Sequence, residues 1–266
     1  MRGSYPENFI RFLGTAGTRF IMLSQRRSTG GIWFSYGGSR GVIDPGPGSL
    51  VKICEASPPL SPIDINTLIL THRHLDHSSD INALSEGMIL KSRLPRGFVL
   101  LTRDCAEDGD RVLMRYLIDR IDKIVVHEDG AIASPVRGVT IESVRHSHHG
   151  VQCFGFIIRR AGLPAWGLIS DTAPMPDFAE RYAECETLVI NATLKFPRAR
   201  LDHMTITDIK SLLGILRPKI AVITHMGKEM LDLGEEYPAR RLSTKYTRVI
   251  PARDGMIIDL ERPLFV

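Results

Sequence analysis

The sequence predicts an α/β fold in which two sheets pack together and helices cover their outer faces. A strand-rich first part gives way to alternating strands and helices, the pattern such layers require. No repeat, low-complexity linker or shift in composition interrupts the 266 residues, so one domain over 1–266 is expected. A cluster of histidines and an aspartate directly follows one apolar run, which places chemistry at a strand end.

Phe9, Ile10, Phe12 and Leu13 mark a first strand over 9–13, ending in the turn Gly14-Thr15-Ala16-Gly17-Thr18. Strands over 31–36 and 41–44 are joined by Gly37-Gly38, a hairpin signal. Neither glycine-rich turn has the spacing of a phosphate-binding loop, so both read as turns. Asp44-Pro45-Gly46-Pro47-Gly48 forms a stiff loop before a short helix over 49–56 and a strand over 67–70. Ile81, Leu84, Met88 and Ile89 fall at helical spacing and predict a helix over 79–92. A strand over 98–101 precedes an amphipathic helix over 104–121, with Val112, Leu113, Tyr116 and Leu117 facing inward. Strands over 139–144, 153–159 and 165–169 come next. The remainder alternates: helix 177–185, strand 187–190, helix 205–216, strand 220–223, a helix from Gly227, and a strand over 255–260.

Hydrophobic content of 43% and mean hydropathy of −0.02 suit a globular protein with a sizeable core. The net charge of +4, from 34 basic and 30 acidic residues, suits an anionic substrate but falls short of a nucleic-acid-binding stripe. Cys54, Cys105, Cys153 and Cys185 stand apart without a Cys-x-x-Cys pair and read as reduced core thiols in a cytoplasmic protein. Arg2, Glu7 and Arg11 break up any signal peptide, and no apolar stretch approaches the roughly 18 residues of a span, so no membrane partner is expected. Asn191-Ala192-Thr193 fits a glycosylation sequon, which carries no weight without secretion.

The chemistry concentrates in Thr71-His72-Arg73-His74-Leu75-Asp76-His77-Ser78-Ser79-Asp80, immediately after the strand 67–70. Imidazole and carboxylate are the ligands that borderline cations such as zinc prefer, and a catalytic site keeps one position open. A structural zinc site would recruit cysteine, and none is near. The segment therefore reads as a catalytic metal site.

His72-Arg73-His74-Leu75-Asp76-His77 resembles the signature of the metallo-β-lactamase superfamily, which implies a four-layer αββα sandwich holding one or two metals at the sheet edges. The resemblance demands three further ligands in order. In the phosphodiesterase and tRNA-processing branches the next histidine lies six positions before an aromatic-Gly pair. With Gly155 after Phe154 that count gives His149, with His148 as the alternate and His146 outside the ligand set. Asp171, in Leu168-Ile169-Ser170-Asp171-Thr172, takes the place of the bridging aspartate, and His225, in Ile223-Thr224-His225, that of the last histidine. The implied assignment is His72, His74 and His149 to one ion and Asp76, His77 and His225 to the other, bridged by Asp171 and a hydroxide. The implied cofactors are two divalent ions, zinc first, with manganese or iron as alternatives. Asp44 matches an acidic residue that steadies the metal loop, or serves only as a turn-former before Pro45.

The same resemblance implies a phosphodiesterase acting on a small phosphate ester. His203, ahead of the helix 205–216, matches a histidine that contacts the scissile phosphate or protonates the leaving group, and Asp76 would help orient the nucleophile. Leu168–Ala173 with Met175-Pro176, and the late Asp254-Gly255-Met256, resemble the phosphodiesterase accessory to carbon–phosphorus lyase, although its cysteine-rich zinc site is missing. A tRNA 3′-end endonuclease is the rival, with RNA as partner. Yet the 22 residues between His149 and Asp171 (171 − 149) are consumed by two strands and a turn, leaving no room for a tRNA-gripping arm. Thioester or lactam hydrolysis would use the same ligands, and a non-catalytic subunit would be expected to have lost some. Substrate selection falls to 91–129 and to 194–202, where Lys195, Arg198 and Arg200 either hold a second phosphate or are merely solvated. A homodimer is compatible with all of this.

Overall fold

The computed structural model describes residues 4–107, 109, 111–234 and 236–262. Arg2, and Asp108 and Asp110 of the predicted helix 104–121, lie outside the described residues. The chain begins with strand β1 (Phe9–Phe12) and helix α1 (Thr18–Ser24), then β2 (Ile32–Tyr36), β3 (Ser39–Ile43), α2 (Ser49–Cys54) and β4 (Thr67–Ile69). It continues through α3 (Leu75–Ser78), α4 (Ile81–Ile89), β5 (Phe98–Leu101), α5 (Arg103–Ala106), α6 (Arg115–Ile118), β6 (Lys123–Val126) and β7 (Ile132–Ala133). The long hairpin β8 (Val139–His148) and β9 (Val151–Arg160) leads to β10 (Trp166–Ile169), α7 (Phe178–Arg181) and β11 (Thr187–Asn191). Helix α8 (Ile206–Leu216), β12 (Ile220–Thr224), α9 (Lys228–Asp232), α10 (Tyr237–Leu242), β13 (Arg248–Pro251) and β14 (Ile257–Asp259) complete it.

Among the described residues these strands form two seven-stranded sheets, ordered β14-β1-β2-β3-β4-β5-β6 and β13-β12-β11-β10-β9-β8-β7. The strand period of two divides their side chains between layers. Phe34 and Ile69 of the first sheet meet Phe156, Trp166, Val189 and Val222 of the second in a core between the sheets. Their neighbours Trp33 and Leu68 point the other way, onto Leu84 and Met88 of α4 and Leu117 of α6. Leu188, Ile190 and Ile223 likewise pack outward on Phe178 of α7 and Ile209 and Leu213 of α8. The result is the predicted αββα sandwich. Both faces of each central strand are covered, which is why β2, β4, β11 and β12 are continuous buried runs rather than alternating ones.

Four departures from the expected elements matter. Helix α1 occupies 18–24, beyond the predicted turn 14–18 and in a stretch to which the sequence assigns no element. The helix expected over 104–121 is two single turns, α5 and α6, followed by the unforeseen strand β6. Strand β8 runs on to His148 instead of stopping at 144, and β13 adds an edge strand. Cys105, Cys153 and Cys185 are buried thiols as expected, but Cys54 is exposed at the end of α2.

Candidate metal centre

Strands β3 and β4 run parallel in one sheet, and β10, β11 and β12 in the other. Sites in α/β sheets gather outside the carboxyl ends of parallel strands, where loops from several strands converge. Here Asp44 follows β3, His72 and His74 follow β4, Asp171 follows β10, and Asn191 ends β11 just before Thr193. His225 follows β12, and α3 adds Asp76 and His77.

Two groups of nitrogen and oxygen donors form. His74 Nδ1 lies 3.1 Å from His72 Nε2 and 3.2 Å from His148 Nε2. Nearby, His77 Nε2 lies 3.1 Å from His225 Nε2, and Asp76 Oδ2 stands 3.7 and 3.5 Å from those two nitrogens. Asp171 Oδ2 reaches both groups, 3.5 Å from His77 Nε2 and 3.7 Å from His148 Nε2. Only Oδ2 faces the two groups, because Oδ1 accepts a 2.8 Å hydrogen bond from Asn191 Nδ2 and lies 3.2 Å from His225 Nδ1.

The ring partners decide what these nitrogens offer, since the tautomer follows from the hydrogen bond at the other nitrogen. His148 Nδ1 faces the carbonyl of Asp202 at 3.0 Å, which can only accept. His72 Nδ1 faces Thr71 Oγ1 at 3.1 Å, and that hydroxyl already donates to Asp44 Oδ2. His77 Nδ1 faces Asp44 Oδ2 at 3.0 Å, and His225 Nδ1 faces Thr193 Oγ1 at 3.0 Å. In their neutral form all four rings therefore carry the proton on Nδ1 and turn an Nε2 lone pair inward. Lone pairs that converge at this distance repel unless a cation lies among them. Nitrogens about 2.0–2.1 Å from a tetrahedral zinc stand roughly 3.3 Å apart, close to the spacings found. The donor set fits divalent metal ions.

Charge points the same way. Burial holds His72 well below the usual imidazole range and brings His74 and His148 down to about 4, so these rings stay neutral, the ligating form. Burial would also raise the Asp76 and Asp171 carboxyls, but the surrounding rings, chiefly His77 for Asp76 and His225 for Asp171, outweigh it and hold both low. Around His77 burial is overcome by Asp76, Asp44 and Asp171, and the ring is pushed up. This pocket of carboxylates favours positive charge.

The third histidine of the first group is His148, not His149. Strand β8 alternates, so His146 and His148 point inward together and are both buried. His149 and Gly150 form the two-residue turn of the β8–β9 hairpin, with φ of 45° and 72°, where a type I′ turn needs positive φ at both positions. The His149 ring lies 6.4 Å from the His74 ring, away from the first group and beside His148 and His203 on the cavity wall, and its amide donates to Asp202 Oδ2. Alternation carried through to 148 would have chosen His148; counting back from Gly155 chose its neighbour. His203 stands at the open side, its Nδ1 4.0 Å from Asp171 Oδ2 and its ring 4.9 Å from that of His148. Asp44 accepts from the Thr71 amide and hydroxyl, each at 2.7 Å, besides meeting His77. Lys195 lies over the ring of Phe196, and Arg198 pairs with Glu229. Thr71, Asn191, Thr193 and Asp202 were not singled out as supports for the ligands. Asn191 and Thr193 belonged to the discarded sequon and instead hold Asp171 and His225.

The two groups open into a cavity of about 800 Å³, lined among others by Asp76, His148, His203 and residues of α1. A family model described as a beta-lactamase superfamily domain matches residues 40–226, well over half of the chain. Uncharacterized protein MJ1374 of Methanocaldococcus jannaschii is 28% identical over 260 residues, covering 94% of both chains. The crystal structure of the metallo-beta-lactamase fold protein YhfI from Bacillus subtilis superposes with a TM-score of 0.76 at 15% identity, covering 94% of this chain and 98% of that one. A diphosphatase from the PhnP family superposes with a TM-score of 0.68 at 22% identity, covering 97% and 99%. With the family match, the two helix-covered sheets and the converging His and Asp donors all in agreement, the chain belongs to the metallo-β-lactamase superfamily of metal-dependent hydrolases.

Proposed function

We propose that the protein is a phosphodiesterase in which His72, His74 and His148 would hold one divalent ion and Asp76, His77 and His225 a second, with Asp171 placed between the two groups. The observation that carries this reading is His203. Its imidazole closes the open side of the donor cluster at the cavity wall, where a leaving ester oxygen would need a proton. A pair of divalent ions supplies Lewis acidity to the attacking water and to the phosphoryl oxygens. Zinc suits the neutral imidazole and carboxylate donors best, with manganese and iron also compatible.

The side chains then divide the work. Asp76, at the cavity floor, orients the attacking water. The attacking water gives up a proton to solvent through the open cavity. As the new P–O bond forms and the ester P–O bond breaks, protonated His203 passes a proton to the departing oxygen, burial lowering its pKa while Asp171 beside it favours the charged form. Asn191 fixes the rotation of Asp171, and Thr71 with Asp44 fixes the rings of His72 and His77. The similarity to a PhnP-family diphosphatase supports phosphate chemistry. A small ester is favoured over tRNA, because β9, the turn after it and β10 occupy the chain between His148 and Asp171, leaving no protruding arm.

The test is metal-dependent hydrolysis of bis(p-nitrophenyl) phosphate beside a thioester and a lactam. The expected result is diester cleavage that requires added metal and disappears in Asp171→Ala. Cleavage of the thioester or the lactam alone would move the protein to acyl transfer and leave His203 without its role.

A further inference from the structure

One wall of the cavity is built by α1, and its exposed face is largely apolar. This seven-residue helix buries only Ile21 and turns Phe20 and Leu23 outward, 53% and 77% exposed, on the side that lines the cavity. Leu75, 68% exposed, and Leu201, 41% exposed, line the same space from the metal loop and from the segment before His203. Four large apolar side chains left in contact with water around one cavity mark a binding surface.

That wall is held in place. Asp254 fastens both ends of the segment that carries α1: Oδ1 accepts from the amide and hydroxyl of Thr15 at 2.9 and 2.6 Å, and Oδ2 from the Ser28 amide at 2.7 Å. Gly17 presses on the backbone of His225 so closely that a Cβ there would sit 2.2 Å from its carbonyl oxygen. The apolar wall is thereby registered against a metal-binding residue, so whatever lies on it has a fixed position relative to the reacting phosphorus. Two of the lining cations are engaged, Arg198 with Glu229 and Lys228 with Asp232. Arg19, exposed on α1, makes no ion pair among the described residues and keeps the mouth attractive to an anion.

We infer that the substrate is an amphiphilic phosphate diester, one of whose substituents is a bulky aryl or alkyl group lying on Phe20, Leu23, Leu75 and Leu201. The inference deepens the phosphodiesterase reading and rests on it for the ester linkage; the apolar wall itself can be tested without turnover. Methylphosphonate and 1-naphthylmethylphosphonate share an anionic head and differ in the group the wall would receive. In calorimetric titrations of the metal-loaded protein the naphthyl compound should bind tighter by roughly tenfold or more. Phe20→Ala/Leu23→Ala should bring the ratio toward one without weakening methylphosphonate, and Phe20→Leu/Leu23→Met should restore it. Both positions are exposed, so circular dichroism should show the fold intact. A ratio near one in the natural protein, or one the alanine pair leaves unchanged, overturns the inference. Methyl and naphthylmethyl esters of p-nitrophenyl phosphate form the second arm. If neither is hydrolysed while the binding ratio holds, the phosphodiesterase reading fails and the apolar wall stands.

Discussion

The two donor groups lie side by side but are supported differently. His72, His74 and His148 are three imidazoles, two of them held by a hydroxyl and a backbone carbonyl. Asp76, His77 and His225 include a carboxylate of their own, and their rings lean on two more, Asp44 and Asp171. Carboxylate behind imidazole raises ligand basicity, and carboxylate beside it adds charge. The second group should therefore hold its ion more tightly, and the first should set when the site becomes complete.

The largest effect tests what the groups share. Asp171→Ala removes the oxygen that touches both and frees Asn191 and His225 from their partner. Metal content by mass spectrometry should fall below one ion per chain, and hydrolysis by roughly a thousandfold or more, since several kcal/mol of charge stabilisation depend on the ions. Two firmly retained ions in that variant would show that the groups do not depend on a common carboxylate.

His148→Ala and His149→Ala separate the groups more sharply. The first should lose one ion while the other stays as tightly bound as before, with activity down by about a hundredfold or more. The second should keep both ions, because its ring stands on the far side of His148 from His74. The reverse pattern would return the ligand to His149 and contradict the pleat of β8.

Asp44→Asn reaches the tighter group from behind. It leaves a polar partner for Thr71 but removes the charge beside His77. Affinity for the tighter ion should fall by about 10–100-fold, the usual range for such supports. The competing chelator concentration at half occupancy measures it, and that of the other ion should move less. An equal loss at both would mean that Asp44 acts through the loop as a whole.

Legibility in the sequence divided along similar lines. The decapeptide 71–80, Asp171 and His225 were visible because ligand types followed apolar runs, and the central strands because their buried stretches are continuous. Position within a strand was harder. His148 and His149 are identical in type, and only the pleat and the positive φ at His149 separate them. The edge strands β6 and β13 are four residues each, too short to outweigh neighbouring patterns. Helix α1 has one buried residue and hence almost no amphipathic signal, although it forms a wall of the cavity. Asn191 and Thr193 act through partners far away in the chain, which no local pattern announces.

The smallest effect concerns His203, which belongs to neither donor group and reaches the cavity from a helix start. Thr205 caps α8: its hydroxyl accepts from the Asp208 amide at 3.3 Å, while the Asp208 carboxylate accepts from the Thr205 amide at 2.9 Å. Thr205→Ala breaks this reciprocal box and should cost about 1 kcal/mol of stability, a fall in Tm of roughly 2–4 °C for a chain of this size. Both ions should stay bound, since no residue of either donor group rests on that helix. His203, two residues upstream, should be less well placed, so kcat should drop a few-fold with KM little changed. A drop in kcat that accompanies loss of metal would tie His203 to the ion-binding framework. A drop without such loss would place it on the leaving group, where a proton is needed only as the ester bond breaks.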